Sequence, residues 1–120
     1  MKYFFTMLLL VFSLNLSAQT ISCEDLMDFI ETEGMYSSSV SSYTLDSSWL
    51  TKVTLYSYDM NYFVVAHIKA NEYSYTYKPY IFCGIPYSNW LNFYSGSYGD
   101  SDSYGERFHK YIFDYQCDCN

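Results

Sequence analysis

Four cysteines constrain this chain more tightly than anything else in it. Cys23, Cys83, Cys117 and Cys119 all lie beyond an apolar leader. That leader has one positive charge at Lys2 and an apolar run over Tyr3–Phe12, followed by Leu14, Leu16 and Ser17-Ala18-Gln19. A basic start, a run of about ten apolar residues and a small residue before a polar one describe a secretory signal peptide. A transmembrane anchor needs about 20 apolar residues, and Ser13, Asn15 and Ser17 interrupt the run before that length is reached. We therefore expect residues 1–18 to be removed by cleavage after Ala18, leaving a secreted or periplasmic protein with no membrane anchor. In an oxidising compartment, an even set of four cysteines in so short a chain reads as two disulfides. A Cys117–Cys119 bridge would close a tight, strained ring, so each of the two is expected to reach back to Cys23 or Cys83. A structural metal would call for Cys-x-x-Cys pairs or clustered histidines. The chain has neither, and no metal or other cofactor is expected.

Loss of Lys2 takes the net charge from −7 to −8. Such a field repels phosphate backbones, so nucleic acid is not an expected partner. The exported length suits one domain. Within residues 19–46, Ser22 is placed to cap a helix carrying Leu26, Phe29 and Ile30 on one stripe, with Gly34 as its stop. A serine-rich connection follows, with seven serines between Tyr36 and Ser48. It reads as irregular, although Val40, Tyr43 and Leu45 also permit a short edge strand.

Residues 47–120 carry the stronger patterns. Trp49–Tyr58, Tyr62–Ala70 and Tyr73–Phe82 alternate with period two and are joined by Asp59-Met60-Asn61 and Asn71-Glu72, which predicts a three-stranded antiparallel meander. Pro86 opens a helix that carries Tyr87, Trp90, Leu91 and Tyr94. Ser103-Tyr104-Gly105-Glu106 is a capping box for a last helix with Phe108, Tyr111, Ile112 and Tyr115. The expected fold class is α+β: an N-terminal helix, three antiparallel strands and two C-terminal helices packed on one face.

The stretch Ser47–Tyr115 resembles the KTSC domain, a module named from the C-terminus of some lysyl-tRNA synthetases. The resemblance rests on the paired serine Ser47-Ser48 leading into a strand and on Tyr-x-Tyr at Tyr73-Ser74-Tyr75 or Tyr75-Thr76-Tyr77. It continues in Ile85-Pro86 followed by a helix with Trp90, and in the Ser-x-Gly element Ser103-Tyr104-Gly105 leading to Phe108. It implies an α+β module without an established activity, for which RNA binding has been suggested. This chain departs from that suggestion through its export signal, its cysteines and its basic residues, since Lys52, Lys69, Lys78, Arg107 and Lys110 are dispersed.

Two candidate surfaces follow. Tyr73, Tyr75 and Tyr77 are expected to fill the inward side of the meander under the C-terminal helices. On the opposite side Tyr56, Tyr58, Phe63, His67 and Tyr80 form a candidate binding face, provided the N-terminal helix leaves it open. The expected function is a non-catalytic module that binds a protein or peptide through this face. A small hydrolase using His109 and Glu106 is the alternative, since the two lie three residues apart on one helix face beside Ser103. No catalytic motif supports it, and no catalytic residue is assigned. Asp100, Asp102 and Glu106 offer oxygen ligands, but their spacing does not match the calcium loop.

Overall fold

The computed structural model describes residues 21–71, 73–96 and 101–119. The expected signal peptide lies outside them. Helix α1 spans Cys23–Glu33. Ser22 caps it, its hydroxyl accepting from the Asp25 amide at 3.1 Å, while Glu24 and Asp25 complement the positive end of the dipole. The Gly34 amide donates to Ile30 O at 2.8 Å. A Cβ at position 34 would lie 2.4 Å from that same oxygen, so glycine is required there for space.

The chain then turns directly into strand β1, Met35–Ser41, followed by a single helical turn α2, Ser42–Leu45. Strands β2 (Leu50–Tyr58), β3 (Asn61–Lys69) and β4 (Tyr77–Cys83) complete an antiparallel sheet in the order β1-β2-β3-β4. The sheet therefore has four strands, not three. The serine-rich stretch read as irregular is the extra one, pairing Val40 with Val53 and Ser39 with Thr54. Backbone pairing with β2 supplies what the sequence pattern of β1 lacks.

A second correction concerns β4, which begins at Tyr77 and not at Tyr73. Asn71 Oδ1 accepts from the Tyr73 amide, and the Ser74 hydroxyl accepts from the Thr76 amide, so Asn71 and Tyr73–Thr76 belong to a loop between β3 and β4. Tyr73 and Tyr75 are 83% and 101% exposed on it and do not fill an inward face. Pairing continues as Lys69↔Tyr77, His67↔Pro79 and Ala66↔Tyr80. A two-residue Asn71-Glu72 turn would instead set Tyr80 opposite Phe63. The three-residue slip is odd, so it moves Tyr80 to the other side of the sheet.

Helices α3 (Tyr87–Ser95) and α4 (Tyr104–Tyr111) pack on one face of the sheet, and a 3₁₀ turn follows at Phe113–Tyr115. Pro86 is the N-cap of α3, one residue earlier than its expected place. In the main core Val53, Leu55, Val64 and Phe82 of the sheet meet Trp90 and Phe93 of α3 and Phe108 of α4. Phe108 sets ring edges against Phe82 at 5.3 Å and Phe93 at 5.9 Å. Arg107 is buried beside them. Its Nε donates to Phe93 O at 2.9 Å, its Nη1 donates to Asp102 O, and its guanidinium lies 4.2 Å from the Tyr104 ring centroid. A cation is thus placed on a last-turn carbonyl of α3, where the dipole favours it.

Helix α1 covers the other face with a smaller cluster of Ile30, Val65 and Ile81, flanked by Leu26, Met27 and Phe63. The two disulfides are Cys23–Cys119 and Cys83–Cys117. Among the described residues no helix is long and apolar enough to cross a membrane. Two disulfide bridges suit an oxidising compartment.

Candidate functional site

The aromatic face expected from the sequence is divided by α1. Tyr56 and Phe63 are half-buried against the Ile30 cluster, and Tyr58 meets Phe29 of α1 edge-on at 5.0 Å. Tyr56 also meets Tyr36 at 6.4 Å. Burial, then the nearby Glu31 carboxylate and Tyr36, raise the Tyr56 phenol above its ordinary value. His67 stacks on Tyr77 at 4.7 Å, nearly parallel. Burial and the Lys52 cation lower its imidazole, with Glu31 acting in the opposite direction. Four of the five residues thus share one face, but α1 occupies its centre. Tyr80 lies on the opposite face, beside Phe82.

There Tyr80 lines one part of a different cleft, whose other part is built where residues 46–49 meet the start of α4. The Ser47 hydroxyl accepts from the amides of Trp49 at 3.3 Å and Leu50 at 3.1 Å, which fixes the approach to β2. Trp49 then stands edge-on to Phe108 at 5.6 Å and tilted over His109 at 5.1 Å. His109 continues the row to Phe113 at 4.9 Å. The indole passes so close to α4 that a Cβ on Gly105 would lie 3.0 Å from Trp49 Nε1, which accounts for the glycine in Ser-Tyr-Gly-Glu.

Two concavities meet at the Trp49–His109 pair. One, of about 260 Å³, is lined by Asp46, Ser47, Ser48, Ser103 and Glu106. The other, of about 380 Å³, is lined by Ile68, Tyr80, Phe82, Phe113 and Gln116. Trp49 and His109 border both. The first is acidic and hydroxylated, the second apolar with two polar rims.

Hydrolytic chemistry finds little support in this geometry. A nucleophilic serine needs its base within hydrogen-bond reach. Ser103 instead caps α4, accepting from the Glu106 amide at 3.2 Å and meeting Glu106 Oε1 at 3.3 Å. No hydrogen bond joins His109 to Ser103 or Glu106, and its ring is held between Trp49 and Phe113. Among the described residues no group of three or more His, Cys, Asp or Glu side chains could hold a metal. Asp102 pairs with Lys110 at 2.6 Å, while Asp100 lies outside the described residues. Of the residues marked by the KTSC resemblance, Trp90, Gly105 and Phe108 are buried, Pro86 caps α3, and Tyr73 and Tyr75 are exposed.

Sequence reasoning missed Trp49 and Asp46 as site residues. The Ser47-Ser48 pair and Gly105 were visible, but only the fold brings them together. Comparison with protein-family models, curated proteins and solved structures finds no match.

Proposed function

We propose that this chain is an exported, non-catalytic interaction module that holds a peptide segment of a partner protein in the Trp49–His109 cleft. The observation that carries the reading is the junction of an apolar concavity with an acidic one across a shared aromatic pair. A bound segment would seat an apolar or aromatic side chain against Ile68 and Phe82. It would direct a Lys or Arg toward Asp46 and Glu106, with its stem along Trp49. The net charge of −7 favours such a basic partner. The exposed Tyr73 and Tyr75 suit the same role, since rigid amphipathic rings supply contact area at low entropic cost.

KTSC kinship belongs to this reading. Its support is that the paired serine and the Ser-x-Gly element line one cavity. RNA is a poorer fit, because Arg107 is consumed internally and Lys110 is paired with Asp102.

The test is selection of binders from a random peptide library on the disulfide-bonded protein. Basic residues next to an apolar or aromatic residue should be enriched. His109→Ala, Tyr80→Ala and Asp46→Asn should each weaken the selected peptides while thermal unfolding stays unchanged. Peptides that bind all three variants as well as the parent would overturn the cleft as the site.

A further inference from the structure

The two edges of the sheet are treated differently by the rest of the chain. At β4 the edge is closed: Phe82 bridges to Gln116, the Cys117 amide donates to Ile81 O, and Cys83–Cys117 fastens the covering segment. Pro79 removes one further donor there. At β1 no backbone hydrogen bond of the described residues reaches the outer edge. An open edge is usually protected by lysine, proline or inward-facing charge. Met35–Ser41 contains none of these. Its one irregularity is an extra residue at Ser37, between Tyr36 and Ser38, which leaves Ser38–Ser41 in regular pairing.

We propose that β1 is the contact of a two-fold dimer, in which the strand pairs antiparallel with β1 of a second copy and joins two sheets into one of eight strands. The distribution of side chains selects this occupant. Met35 and Tyr36, 72% and 62% exposed, stand at one end, and Tyr43, 96% exposed, stands just past the other. Antiparallel pairing centred near Ser39 brings Tyr43 of each copy to the Met35–Tyr36 end of the other, with small serines between. An interface in which each end matches the opposite end of an identical strand is what two-fold symmetry requires. No charged residue occurs from Gly34 to Thr44, so two chains of net charge −7 can meet here without opposing like charges in the ladder.

Sedimentation equilibrium on the disulfide-bonded protein tests this over a wide concentration range. The mass should rise from monomer to dimer, and β1 amides should gain exchange protection as it does. Ser37→Glu and Tyr43→Glu each act twice in a two-fold dimer, and each should raise the dissociation constant about tenfold. Both sites are exposed, so the monomer fold should survive. A monomer at every concentration overturns the proposal. So does a dimer indifferent to both substitutions, or one whose β1 amides exchange freely. Protection of β1 that arises only when a foreign peptide is added assigns the edge to that peptide and overturns the dimer as well.

Discussion

The two faces of the sheet are held by different means. On the α3/α4 face, three aromatic rings interlock at Phe82, Phe93 and Phe108, and both helices place buried residues in one continuous core. On the α1 face the buried apolar cluster among the described residues is Ile30, Val65 and Ile81. Three aliphatic side chains offer a few kcal/mol by burial, little against the entropy of ordering an eleven-residue helix. Both cystines lie at this weaker face. Cys23–Cys119 ties the start of α1 to the C-terminal segment, and Cys83–Cys117 ties that segment to β4. Covalent closure stands where apolar burial is thin.

The largest effect should come from the burial-held face. Phe108→Ala removes a side chain with no exposed surface and should cost about 3–5 kcal/mol in urea unfolding. A loss below about 1 kcal/mol would show that the rings do not interlock as described.

Next is the paired change Cys23→Ser with Cys119→Ser, which removes a closure across 96 residues and should cost about 2–4 kcal/mol. Its sharper readout is local. Amide exchange should quicken throughout α1 while β2 and β3 keep their protection. Equal protection of α1 in parent and variant would mean that the Ile30 cluster suffices alone.

Arg107→Met tests the polar anchor within the α3/α4 face. It keeps much of the stem's volume but leaves Phe93 O and Asp102 O without their donor, so a loss of about 1–3 kcal/mol is expected by thermal unfolding. No measurable change would make the aliphatic stem, and not the guanidinium, the useful part.

This contrast was only partly legible in the sequence. Local rules located α1 and α4, because Ser22 with Gly34 and Ser103 with Glu106 are signals written within one turn of the helix end. Alternation located β2 and β3. Strand β1 was hidden because four serines in seven residues carry no alternating apolar signal, and its pairing is supplied by β2. The β3–β4 register was misread because hydrogen bonds from Asn71 and Ser74 lengthen the loop by residues that themselves alternate, which also set Tyr80 on the wrong face. The cleft escaped for a different reason. Trp49 and His109 lie 60 positions apart in the chain and meet only when the sheet and α4 are assembled. The cysteines announced two bridges, and spacing excluded one partner, but the choice between Cys23 and Cys83 needed the fold.

The smallest expected effect separates the faces by pH. His67 stands at the margin of the α1 face, stacked on Tyr77, with Lys52 and Glu31 as its charged neighbours. Burial and Lys52 hold its folded pKa below 6.5, close to its value in an unfolded chain. As pH falls through about 6.5 the unfolded chain takes up a proton that the folded one still refuses. Stability should therefore fall across that interval and level off once pH is below the lowered folded value. Above the unfolded pKa the imidazole is neutral in both states and the contribution is fully present. His67→Phe keeps a ring for Tyr77 to stack on and removes the titration. Melting temperatures recorded at closely spaced pH values should show a shallower decline between neutrality and mild acid in this variant than in the parent. Parallel profiles would mean that His67 is open to water, and that α1 covers less of this face than its contacts with Tyr56, Phe63 and Val65 indicate.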